Sequence, residues 1–146
     1  MRPGKPPILA VVVSALLLTG CLNLPGQATT AEPTTTAPLP PTPQPVSDLS
    51  ALSDSDAGEL ALQAEEVYLS MHLRNASCLE TWGTYPTTSS KEATVVNRSA
   101  ERIIVTVQHP YSSSTNNTEA DQSSTARYRV TENGTTRRSG DEIAPC

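Results

Sequence analysis

The sequence predicts an α+β fold, with one N-terminal helix packed on a three- or four-stranded antiparallel sheet. Apolar residues recur at helical spacing from Ala57 to Met71, and period-two alternation runs through residues 102–109 and 126–131. A Pro- and Thr-rich stretch separates these patterns from an apolar run near the N-terminus and confines the folded part to residues 54–146. A domain of roughly 90 residues is small, and its core is marginal without a covalent staple.

The helix is expected over 56–75. Asp56 with Glu59 three residues on reads as a capping box, each side chain satisfying an amide that the first turn leaves free. Ala57, Leu60, Ala61, Ala64, Val67, Tyr68 and Met71 then form one stripe for the sheet. Leu62, Leu69 and Leu73 fall on the far side. They are either isolated surface leucines or a docking stripe for a partner or a second copy. The run Asp54-Ser55-Asp56-Ala57-Gly58 approaches a calcium loop, but its Gly is fifth instead of sixth and no acid closes the loop at the twelfth position. No metal is assigned there. Asn75 is expected to end the helix in a left-handed cap.

Residues 93–97 form a short β-type run. In the next strand, Ile103, Val105 and Val107 point one way while Arg102, Thr106 and Gln108 point the other. Pro110 limits that strand unless it lies at an edge or bulge, and the polar residues 112–124 read as a loop or irregular hairpin. Ala126, Tyr128 and Val130 alternate with Arg127, Arg129 and Thr131, and Asn133-Gly134 is a strong hairpin signal. A two-residue turn there sets Val130 opposite Arg137 and Arg129 opposite Arg138. Facing arginines on the side shared with Arg127 need compensation, from a bound anion or from neighbouring Glu.

At the N-terminus, Arg2 and Lys5 precede an apolar run from Ile8 to Leu18. As a helix it would span ~16 Å, too little for a bilayer core of ~30 Å, and the pattern is that of a secretory signal peptide over 1–20. Leu18-Thr19-Gly20-Cys21 closes it. This segment resembles the lipobox of prokaryotic lipoproteins. The resemblance implies cleavage before Cys21 and a lipid on its sulfur, with the chain held at the extracytoplasmic face of the membrane. Two acyl chains on that cysteine make a durable anchor. An ordinary signal peptide with Cys21 incidental is the plainer alternative. From 21 to 53 the chain then reads as a lipidated N-terminus and a disordered tether, where closely spaced prolines block both helix and sheet.

Removing residues 1–20 leaves eight basic against fifteen acidic residues, a net charge of −7. That field disfavours nucleic acid as a partner. Abundant Thr, few Lys and an acid excess are similar to the secreted proteins of salt-loving archaea.

After lipidation of Cys21, Cys78 and Cys146 remain. Two cysteines outside the cell point to a disulfide stapling the domain; metal ligation and a redox thiol have no supporting spacing. Trp82 and Tyr85, in the loop after Cys78, either stack a sugar or another flat ligand, or Trp82 simply covers the bridge. Asn75, Asn97, Asn116 and Asn133 head Asn-X-Ser/Thr sequons open to glycosylation. No nucleophile elbow, phosphate loop, paired His or cysteine metal pair is present. His72 and His109 read as surface or core-edge residues. The expectation is a non-enzymatic surface lipoprotein with no cofactor and an unknown protein or glycan partner. The alternative is an accessory subunit of a membrane transport or signalling complex, docking through Leu62, Leu69 and Leu73.

Overall fold

Ser53, not Asp56, starts the helix. In the computed structural model, which describes residues 38–85 and 89–146, α1 runs Asp54–Arg74. Ser53 Oγ accepts the Asp56 amide at 3.1 Å and donates to Asp56 Oδ2 at 2.6 Å, so the cap lies three residues earlier than expected and its second bond joins two side chains. Acids in the first turn and His72 and Arg74 in the last complement the helix dipole. Asn75 does end the helix, but at φ −83°, ψ −4°, in the right-handed region and not the left-handed one.

The buried face of α1 also differs from the expected stripe. It comprises Ala57, Gly58, Ala61, Glu65, Leu69, Ser70 and Leu73, whereas Met71 is 47 % exposed. Leu69 and Leu73 are completely buried and Leu62 is half-buried against the core, so these three leucines are not a free docking stripe. The stripe is turned by about 100°, one residue's step. Glu65 is the reason: a charge at the centre of the buried face makes that face look solvated.

Five strands follow: β1 (Thr81–Gly83), β2 (Glu92–Arg98), β3 (Ile103–Thr115), β4 (Thr118–Thr131) and β5 (Gly134–Gly140). All pairings are antiparallel. β4 lies between β3 and β5, while β1 and β2 share the other edge of β3, opposite residues 112–114 and 103–108. The sheet is thus a meander of four strand positions whose first position is broken. α1 packs on one face.

Residues 112–124, expected as a loop or irregular hairpin, form a regular hairpin that is mostly strand. β3 and β4 pair without a slip from Ile103↔Val130 to Thr115↔Thr118, leaving only Asn116-Asn117 as the turn. Ser and Thr carry no apolar alternation there, so the continuous ladder outweighs a weak local pattern. Pro110 sits inside β3 at the break between β1 and β2. The Glu80 amide bonds to Ser114 O, so by strand alternation the even residues of β3 face this broken edge. Pro110, which has no N–H, therefore forfeits no ladder bond.

Ile103, Val105, Val107, Ala126, Tyr128 and Val130 meet Ala57 and Ala61 in the main core. Leu49 joins it at 2 % exposure, so packing begins before Asp54, inside the segment expected to be tether. A second cluster gathers Leu69, Leu73, Tyr111 and Ile143. Burying each of those leucines contributes about 1.5–3 kcal/mol. Ile143 is held there by the Cys78–Cys146 disulfide, with Cα atoms 5.9 Å apart across a sequence separation of 68.

The last hairpin turns one residue early. Its turn residues are Glu132-Asn133, Thr131 pairs with Gly134 at φ +123°, and Arg129 faces Thr136, not Arg138. The physical reason is that a turn followed by a positive-φ glycine uses Gly134 as its first strand residue. A register shift between Tyr128 and Arg127 then sets Arg127 opposite Ser139. The expected arginine-against-arginine contact does not form.

Candidate functional site

Two consecutive carboxylates on α1 organise the polar interior. Glu65 follows Ala61 by four residues and precedes Leu69 by four, so helical period alone carries it into the core. It is completely buried and accepts three hydrogen bonds: from Ser124 Oγ at 2.6 Å, Tyr128 OH at 2.7 Å and Arg137 Nε at 3.1 Å. Burial, then the bond to Glu65, pushes the Tyr128 hydroxyl far above the usual phenol range. Arg137 also lies over the Tyr68 ring at 4.0 Å and donates through Nη2 to Asp141 O at 2.8 Å. With three donors in place, most of the acceptor capacity of the Glu65 carboxylate is committed to structural bonds.

Glu66 points into the break between β1 and β2. Lys91 Nζ donates to its Oε2 at 2.8 Å and Thr84 Oγ1 to its Oε1 at 3.4 Å, and the Tyr85 hydroxyl adds a further bond. Burial opposes ionisation of Glu66. The bonds from Lys91 and Tyr85, with the positive charge of Lys91, outweigh it and hold the carboxyl below its ordinary range. The bond to Glu66 correspondingly raises the Tyr85 hydroxyl.

His109 closes this group from β3. It is completely buried, and its Nδ1 donates to Pro110 O at 2.9 Å, filling the carbonyl that Pro110 turns toward the broken edge. That bond fixes the tautomer, because a carbonyl can only accept. Nε2 is left with no hydrogen-bond partner, 3.9 Å from Glu66 Oε2. Burial is the main reason the His109 imidazole sits below its ordinary value; the Lys91 charge adds to it, against the bond to Pro110 O and the pull of Glu66 and Glu65.

The residues singled out in the sequence do not converge. Cys21 lies outside the described residues. Trp82 is half-buried against the second cluster, beside Leu69 and Leu73. Tyr85 is 71 % exposed, but Lys91 Nζ stands over its ring at 3.8 Å and occupies a stacking face. Arg127 and Arg138 are exposed on the sheet. Arg129 is half-buried, with a buried and unpartnered Nε, in a polar cleft of about 480 Å³ that includes Glu101 and Glu132. Asn75, Asn97, Asn116 and Asn133 are all exposed, Asn97 on β2 and not in a turn. His72 stacks on Tyr68 with ring centroids 4.0 Å apart.

Glu65, Glu66, Lys91 and Arg137 carry the polar interior and were not singled out in the sequence. One signal was present, since the expected hairpin already set Arg137 on the apolar Val130 face, where a cation requires a carboxylate. Among the described residues, no three His, Cys, Asp or Glu side chains are grouped to hold a metal ion. Compared with known proteins, the chain matches no protein family, no curated protein and no solved structure.

Proposed function

We propose that this chain is a lipid-anchored protein of the extracytoplasmic membrane face that displays its α+β domain as a non-enzymatic binding or envelope-structural module. The Cys78–Cys146 disulfide carries the reading, because such bridges persist in oxidising compartments outside the cytoplasm. The lipobox-like Leu18-Thr19-Gly20-Cys21 at the end of an apolar leader supports the same address. Among the described residues no helix is long and apolar enough to cross a membrane, and a lipid on Cys21 is the attachment this reading invokes.

A binding role for the domain is supported by the sheet face that no helix covers among the described residues. Only one face of the sheet is covered by α1, and Thr94, Gln108, Thr125 and Arg127 stand exposed in its strands. The partner is then a polar surface, protein or glycan, read by hydroxyl, amide and guanidinium groups.

Cys21→Ser tests the anchor. The native chain is expected in the detergent phase after phase separation, with a diacylglyceryl mass on an N-terminal Cys21, and the variant in the aqueous phase. An unmodified N-terminus at another position, or equal partitioning of the two, overturns the reading.

A further inference from the structure

We propose that His109 is an acid-operated switch, in which protonation at Nε2 draws the Glu66 carboxylate off Lys91, Thr84 and Tyr85 and unfastens the broken edge of the sheet between β1 and β2. The geometry sets up a competition for one acceptor. Glu66 Oε2 holds Lys91 Nζ at 2.8 Å while the unpartnered Nε2 of His109 waits at 3.9 Å. A neutral Nε2 is a lone pair and cannot bond a carboxylate, so Glu66 serves the loop residues. A protonated Nε2–H is a charged donor, completely buried, and the nearest carboxylate able to compensate it is Glu66.

The other charged groups around His109 do not remove this competition. Glu65, next to Glu66 on the helix, also attracts the imidazolium, but it is held in place by Ser124, Tyr128 and Arg137, the last of which offsets its charge. Ser124, opposite His109 on β4, is neutral and already donates to Glu65. Lys91 repels the imidazolium, and Tyr85 is hydrogen-bonded to Glu66. Movement of Glu66 toward Nε2 therefore comes at the expense of Lys91, Thr84 and Tyr85. Pro110 is what makes the opening local. The β3 backbone facing the break has no N–H there, and its carbonyl stays with His109 Nδ1 in both protonation states.

The sign follows from burial. An imidazole held below the ordinary value of about 6.5 favours the neutral, fastened form at neutral pH. Its contribution to stability is present above that value and is lost as pH falls through the lower folded value.

Trp82, the only tryptophan, lies in β1 two residues before Thr84 and reports on this edge. The test follows its emission in the full-length chain in detergent between about pH 8 and pH 4.5, together with the His109 imidazole resonances and far-UV circular dichroism. The expected result is one reversible emission step with its midpoint below about pH 6.5, coincident with His109 titration, at constant secondary structure. His109→Asn, whose amide can still donate to Pro110 O, is expected to be flat. Glu66→Gln is expected to keep the histidine titration and lose the emission step. A flat native profile, the same step in either variant, or loss of secondary structure at that midpoint overturns the switch. Should His109→Asn not fold, the native coincidence and Glu66→Gln decide.

Discussion

Arg137 reaches Glu65 through the interior, Nε to Oε2 at 3.1 Å, joining β5 to α1 across 72 residues of sequence. The side chain of Glu65 has no exposure and that of Arg137 has 20 %, so the two ends of the pair respond differently to its loss. Glu65→Ala leaves the buried Tyr128 and Ser124 hydroxyls without their carboxylate acceptor. It is expected to cost about 3–5 kcal/mol in urea denaturation. Arg137→Ala leaves a buried carboxylate with two neutral donors and is expected to be strongly destabilising as well. The double variant should cost less than the sum of the two. Strict additivity would show that the pair contributes no coupling.

Gly140 and Gly134 both have positive φ, +150° and +123°, but only one is crowded. A Cβ at Gly140 would stand 2.7 Å from Ala126 Cα and Cβ and 2.6 Å from Arg137 Nη2; at Gly134 it would meet nothing within 4 Å. Gly134→Ala is therefore expected to cost about 1 kcal/mol, from backbone strain alone. Gly140→Ala adds an overpacking cost of about 1–3 kcal/mol, because two of its neighbours are not flexible chain ends. Thermal denaturation of the two variants checks the order. Equal losses would mean that the strand shifts to make room.

The Cys78–Cys146 bridge closes a sequence separation of 68, for which chain entropy gives a stabilisation of roughly 4 kcal/mol. Cys146→Ser is expected to lower stability by that order, and a reducing agent should bring the native chain to the same urea midpoint. The variant itself should then be insensitive to reductant. It also frees the segment that holds Ile143 against Leu69 and Leu73, so near-UV dichroism from Trp82 and Tyr111 should weaken with it.

Element types were legible where burial and chemistry agreed. Ile103, Val105 and Val107 alternate because one sheet face is buried, and the two cysteines left after Cys21 had one another as partners. Legibility failed where pairing or a buried charge overrode the local pattern. Residues 112–124 are strand because β3 and β4 pair in unbroken register, which their Ser and Thr side chains do not advertise. Gly134 opens β5 instead of completing the turn, and this one-residue difference moves the cross-strand partners from Tyr128 to Thr131 by two. The polar interior was hidden for a simpler reason. Glu65 and His109 look like surface residues until Arg137, Tyr128 and Pro110 are brought to them from distant segments.

The rotation of α1 can be decided by two substitutions of the same kind. Leu69 is completely buried between Leu73, Tyr111 and Ile143, while Met71, two residues on, is 47 % exposed. Leu69→Asp removes an apolar side chain and buries an uncompensated carboxylate. The expected cost is about 3–5 kcal/mol or more, enough to unfold a domain of this size. Met71→Asp places the same charge in solvent and should change stability by no more than about 0.5 kcal/mol. A helix turned to present Leu62, Leu69 and Leu73 outward would reverse the pair: Leu69→Asp would fold normally and Met71→Asp would not. Far-UV dichroism and urea midpoints of the two purified variants separate the two orientations, because Leu69 and Met71 lie about 200° apart around the helix.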